Sequence, residues 1–283
     1  MSKARTRKSR KSPVIPSASA SLTPDVIRCY KVDGPKCPMV TKVVTTLSEY
    51  VAAFSSVVRA GEIFWFRGHS DYKWKTVPSA LRYKEEPKRV KALGLVGEFK
   101  RFAEFKLPKP PQLTDEFKWW QVAQHYGLPT RLLDWTQSAA VALYFACLDE
   151  TADGLVLVIN PSDLNLAAKR QRRVFDANLD ADIIKTYLAL DASEHRTGRK
   201  TIAIHPTWNS ERITMQQGAF TLHGSASFEL TQSEVSSMCY LPILGAHKLN
   251  LLLELERMGI AEMSIFPEPE HICSYLKRHS NLH

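Results

Sequence analysis

Hydrophobic positions along the chain alternate between a helical and a strand period, and the switches mark out its elements. Leu47, Val51, Phe54, Val57 and Val58 share one side of Thr46 to Arg59. That predicts an amphipathic helix capped by Ser48 or Thr46 and stopped by Gly61. Glu62 to Gly68 then reads as a short buried strand that delivers Arg67 to its end. His69 to Leu81 is irregular. Val90, Leu93, Val96, Phe99, Phe102 and Phe105 predict a helix over Glu85 to Lys106, bent at its glycines and broken by Lys109-Pro110-Pro111. Asp115 to Tyr126 is a second helix with Gly127 and Pro129 as its stop. Ala139 to Ala146 is apolar on every side, as a buried helix would be.

Gly154 to Ile159 predicts a strongly buried strand, and further strands are expected at Thr201 to His205, Ala219 to His223 and Met238 to Leu244. Leu164 to Leu190 leans helical. Ala246 to Met258 is an amphipathic helix, and a short helix around His271 to Lys277 follows Ser264-Ile265-Phe266-Pro267. The interspersed pattern gives an α+β single domain with a mixed central sheet and flanking helices. Strand order does not follow from periodicity.

Composition changes this picture at one end. Lys3, Arg5, Arg7, Lys8, Arg10 and Lys11, with no acid among residues 1–12, contribute six of the nine net positive charges. Ser12 to Pro24 is Ser, Ala and Pro without periodicity. Residues 1–24 therefore read as a disordered basic tail and linker, and 25–283 as the folded domain. Residues 3–11 can hold nucleic acid by counterion release, or can simply be a solvated tail. The remaining composition is that of an ordinary globular protein, and no window is apolar enough for a membrane helix. No apolar leader opens the chain, and its five cysteines are an odd number without a Cys-x-x-Cys pair. Both points suit a cytoplasmic location and argue against a disulfide framework or zinc site.

Candidate chemistry concentrates in Gln124 to Thr136, which reads as a polar loop fixed to the buried helix. Arg67 needs an anionic partner, either a ligand phosphate or a structural salt bridge to Asp134 or Asp71. His125, at a helix end, is a proton carrier, a ribose-hydroxyl partner or a cap. Asp134 or Thr136 is expected to cap the helix that follows, making its start an anion site served by Arg131. Tyr126 and Trp135 either stack a planar ring or close the core. Gln216, expected in a loop between two strands, either holds a ligand group or bonds local backbone. The single His in the block gives no metal-ligand spacing. Cys147 lies in an apolar helix, and no Gly-x-Ser-x-Gly elbow exists.

Four pieces together resemble the FRG domain family. They are Phe66-Arg67-Gly68 with Trp74 and Pro78-Ser79-x-x-Arg82; Gln124 to Thr136; Arg212 with Gln216-x-Gly218-x-Phe220; and Gly259-Ile260 before Ile265-Phe266-Pro267. The match runs from about residue 45 to about 278. In element order the pieces also resemble the ADP-ribosyltransferase fold. That second resemblance implies NAD as substrate, with no metal. It also implies a transferase of the toxin or phage-defence kind that modifies nucleic acid or protein. Arg67, His125, Asp134 and Gln216 are then the catalytic candidates, and Arg67, Tyr126, Thr130, Arg131 and Thr136 the nucleotide-binding ones. ADP-ribosyltransferases place a catalytic Glu on a late strand, where this chain offers Gln216 and Gln217, with Glu229 further on. The alternatives are a non-catalytic nucleotide or nucleic-acid binding module and a metal-independent nuclease using His125.

Overall fold

The computed structural model describes residues 43–189, 199–207, 210–224, 228–231, 234, 235 and 237–280. The basic tail, the linker and residues 25–42 lie outside them. Seven strands form one sheet in the order β4-β5-β6-β2-β1-β3-β7, antiparallel throughout except for the β4–β5 pair. The expected α+β architecture with a mixed sheet is what the chain adopts. The strands are β1 Trp65–His69, β2 Leu132–Thr136, β3 Gly154–Ile159, β4 Phe175–Asp176, β5 Ile202–His205, β6 Gly218–Leu222 and β7 Cys239–Ile243.

Ten helices surround the sheet among the described residues. They are α1 Leu47–Ser55, α2 Glu86–Ala103, α3 Glu116–His125, α4 Ala139–Cys147, α5 Pro161–Lys169, α6 Ala181–Leu188, α7 Glu211–Met215, α8 Gly245–Arg257, α9 Glu262–Ile265 and α10 Pro269–His279. The helix-leaning Leu164 to Leu190 splits into α5, β4 and α6. Arg170, at φ 61°, ends α5 in a left-handed turn that no periodicity foretells.

The core has two halves. One joins α1, α4 and α8 to β1, β3 and β7 through Tyr50, Phe66, Leu143, Val156, Leu241 and Leu251. The other joins α2, α3 and α6 to β2, β4, β5 and β6 through Val96, Trp120, Leu132, Phe175, Ile184 and Phe220. They meet at the β1–β2 seam. Whereas β1 and β3 pair along five residues, β1 and β2 share a single register pair, Phe66 with Thr136. Beyond it a side chain joins the strands, as Arg67 Nη1 donates to the Asp134 carbonyl at 2.5 Å.

Two expectations change here. Leu132 to Thr136, read as part of a loop, is the inner strand β2, because its Leu132, Leu133 and Trp135 are buried between β6 and β1. Arg67 is the third residue of the five in β1 rather than its last. Phe66 and Gly68 therefore turn to one face of the sheet, and Trp65, Arg67 and His69 to the other.

Candidate functional site

A cavity of about 430 Å³ opens at this seam, within the usual range for small-ligand pockets. β1 supplies Arg67 to its wall, β2 supplies Asp134 and Thr136, α3 supplies Lys118, Gln124 and His125, and the α7 region supplies Arg212 and Gln216. Phe66, Trp74, Phe145 and Phe220 add aromatic surface. The lining thus combines three permanent cations, one carboxylate and several ring faces.

Arg67 is held from two sides. Its Nε donates to His69 Nε2 at 3.1 Å and its Nη1 to the Asp134 carbonyl, which leaves Nη2 without a hydrogen-bond partner among the described residues. Neither expected salt bridge forms, since Asp134 accepts through its backbone and Asp71 does not pair with Arg67. Burial lowers the Arg67 pKa from its ordinary value, the Asp134 charge opposes that, and Arg82 adds to it. His69 is buried, and desolvation first, with Arg67 next, pushes its pKa down to about 3. A neutral His69 is what allows its Nε2 to accept from a guanidinium.

Asp134 is oriented by a relay. Gln124 Nε2 donates to Asp134 Oδ1 at 2.7 Å, and the Thr130 hydroxyl donates to Gln124 Oε1. A carboxylate only accepts, so the amide group of Gln124 has to face Asp134 and its carbonyl has to face Thr130. Thr130 Oγ1 also accepts from the Leu132 backbone, and Ser79 Oγ accepts from the Thr130 backbone at 3.1 Å. The Pro78-Ser79-x-x-Arg82 segment is thereby tied to the Gln124 to Thr136 block.

Several predicted site residues take other places. Arg131 is buried away from the cavity, where its guanidinium sits over the Trp120 ring and donates to the Tyr187 carbonyl. Tyr126 is exposed and packs its ring on His125 and Phe99 outside the cavity. Thr130 is fully buried and orients Gln124 instead of meeting a ligand. Neither Asp134 nor Thr136 caps α4, because both belong to β2; Ser138 accepts from the Val141 backbone in that role. The start of α4 is therefore closed by its own cap. Thr136 does line the cavity, and its hydroxyl donates to the Gln216 carbonyl at 2.6 Å. Gln216 ends α7 rather than sitting in an open loop, and its Nε2 donates to the Ile265 carbonyl at 3.4 Å. Glu229 pairs with Lys75 at 3.1 Å and is not among the lining residues. Trp135 is buried and donates to Thr221, so the core reading of that ring holds.

His125 remains in the lining. Burial and then Arg212 lower its pKa below the ordinary histidine value, and Glu268 pulls the other way. Arg212 and Glu268 were not among the predicted site residues. Arg212 Nη1 donates to Glu268 Oε1 at 3.2 Å, and the guanidinium lies over the Phe266 ring, 5.0 Å from its centroid. Only the Arg212 to Phe220 pattern hints at the first of these in the sequence. Nothing there links Glu268 to a histidine so far upstream. No group of three or more metal-ligand side chains occurs among the described residues.

The FRG domain family model matches residues 62–154, from the turn before β1 to the first residue of β3. The chain carries an FRG domain. The FRG tripeptide stands at the seam: Phe66 is in the core, Arg67 reaches the cavity, and Gly68 packs against α4. The matched segment holds Arg67, Gln124, His125 and Asp134, while Arg212, Gln216 and Glu268 come from beyond it. No curated protein and no solved structure matches the chain. None of the described helices is long and apolar enough to cross a membrane.

Proposed function

We propose that the cavity binds a nucleotide-type ligand and that its chemistry is ADP-ribosyl transfer from NAD. The observation that carries the reading is the Arg67 guanidinium, which lines a cavity with no carboxylate partner and with Nη2 free of hydrogen bonds among the described residues. A desolvated cation in that position is best satisfied by a ligand anion, and a guanidinium suits a phosphate. Lys118 and Arg212 stand in the same lining, each paired with a carboxylate, Asp115 at 2.6 Å and Glu268 at 3.2 Å, and Trp74, Phe66 and Phe145 offer faces to a planar ring.

Asp134 is the carboxylate of the described lining. Gln124 holds its Oδ1, which leaves Oδ2 to act on positive charge that develops at the ribose carbon as nicotinamide leaves. Calorimetry with NAD and an assay for nicotinamide release, run on the full chain with labelled NAD and with nucleic acid or protein acceptors, test this. Wild type should bind and release nicotinamide, and Arg67→Ala should weaken binding at least tenfold. Wild type that neither binds NAD nor releases nicotinamide overturns the proposal.

One observation favours a second reading, a binding module without turnover. The resemblance to a transferase calls for a late glutamate, for which the chain offers Gln216, the C-cap of α7, and Gln217, while Glu229 is engaged with Lys75. NAD binding that depends on Arg67, without nicotinamide release under any acceptor, would select it.

A further inference from the structure

Glu268 comes from the turn that enters α10, and its neighbours fix it against the cavity wall. Phe266 packs edge-on to Phe145 and stacks on His271 with ring centroids 4.3 Å apart. Arg212 covers the outer face of the same ring system and bonds Glu268 Oε1. That oxygen lies 3.9 Å from His125 Nε2, within ion-pair range. The other carboxylate oxygen, Oε2, is enclosed and takes no hydrogen bond from any other described residue. An enclosed acceptor of this kind is costly when its only service is to anchor a helix.

We infer that Glu268 is the carboxylate partner of His125, and that the pair forms the proton-accepting end of the cavity, serving a hydroxyl or amine acceptor. At 3.9 Å Glu268 meets Nε2 by charge and not by a hydrogen bond, and we assign the acceptor role to Nδ1, which carries no hydrogen bond among the described residues. The inference rests on the ADP-ribosyl-transfer reading and adds the group that activates the nucleophile. The acceptor's lone pair forms the bond to the ribose carbon. The bond from that carbon to the nicotinamide nitrogen breaks, and its electron pair neutralises the ring. The acceptor proton passes to His125 Nδ1, and Glu268 balances the resulting imidazolium. Nothing is oxidised or reduced. His125 is the catalytic residue here, and Glu268 is a positioning residue.

The electrostatics agree with this geometry. Burial and Arg212 hold the His125 pKa below its ordinary value, so the ring is neutral near pH 7 and able to accept. Glu268 is the group that raises it. Its own pKa lies below the usual carboxylate value even though burial, the largest influence, acts to raise it; its backbone N–H and Arg212 prevail. Lys118, Arg67 and Asp134 are the other charged groups of the lining.

The test measures NAD affinity, the pH profile of nicotinamide release and the His125 ring titration by NMR in wild type, Glu268→Gln and Glu268→Asp. Glu268→Gln should bind NAD as wild type does, release nicotinamide at least tenfold more slowly, and move both the acid limb and the ring titration to lower pH. Glu268→Asp keeps the charge and should keep the acid limb near that of wild type. An unchanged rate and limb in Glu268→Gln overturns the inference while wild-type turnover keeps the parent reading. A slower rate without any shift of the limb also overturns it, because Glu268 then only anchors α10. Wild type without turnover overturns both.

Discussion

Gly68 shows how much one residue of the FRG tripeptide has to satisfy. A Cβ built there would lie 2.0 Å from the Ala142 carbonyl oxygen and 2.6 Å from the Ala146 backbone nitrogen. Both are backbone atoms of a buried helix, so no side chain can swing aside. Gly68→Ala should therefore cost on the order of 3 kcal/mol as α4 is pushed from the sheet. Urea unfolding of the variant beside wild type reads that loss directly. The same displacement would pull Phe145 from the cavity wall. The glycine thus serves contact between β1 and α4, whereas Arg67, one residue earlier, lines the cavity. The two needs are compatible because alternate strand residues face opposite ways.

Among the elements, β2 departs furthest from its first reading. The polar block was expected to be a loop bolted to a helix, yet its second half is a strand buried between two others. Its polar side chains survive there because each is matched: Trp135 with Thr221, Asp134 with Gln124, and Thr136 with Gln216. α10 is built in the opposite way, for none of its residues is buried. Polar contacts fasten it instead, from Glu262 to His271 at 2.7 Å and to Arg278, and from Glu256 to Tyr275 at 2.9 Å and to His279 at 2.6 Å. Exposed ion pairs contribute little and weaken with salt. Amide hydrogen exchange over 269–279 should be faster than over α4 or α8, and should quicken further as salt is raised. Exchange as slow as that of α4, with no response to salt, would count against this account.

At the scale of the whole molecule, buried histidines give stability a pH dependence. His69 and His223 both have pKa values pushed down to about 3, by desolvation first and by nearby arginines in smaller measure, against the opposing pull of a backbone hydrogen bond. His223 lies 3.1 Å from Thr221 Oγ1 in a wholly enclosed site. In the unfolded chain these rings take up protons below about pH 6.5, whereas in the folded chain they stay neutral down to about 3. The unfolded state then binds more protons across that window, so stability falls as pH is lowered through it. Each ring contributes a slope of about 1.4 kcal/mol per pH unit once its unfolded form is mostly protonated. Urea midpoints should decline between pH 7 and 5, and His223→Asn should flatten the decline. Midpoints that hold steady over that range would contradict the assignment.

Much of this molecule is local and could be read from its sequence. Most of the elements followed from periodicity, since a buried strand or a helix face leaves its mark within a few residues, while β2, β4 and α7 did not. Gly127 at φ 85° and the Asp115 and Ser138 caps act over equally short distances. That Arg67, Gln124, His125, Asp134 and Thr136 would share one place was legible because those residues are dense or belong to a clear strand. The cavity was not legible. It depends on β1 and β2 parting after one register pair, and register is decided by how two sheet halves pack on different helices. Arg131 looked like a ligand clamp because its neighbours are polar, but Trp120 and the Tyr187 carbonyl claim it in three dimensions. Glu268 drew no reading from the sequence, and only folding brings it to 3.9 Å from His125. Sequence records what a residue needs from its own turn or strand; tertiary structure alone decided which distant groups meet around Arg67.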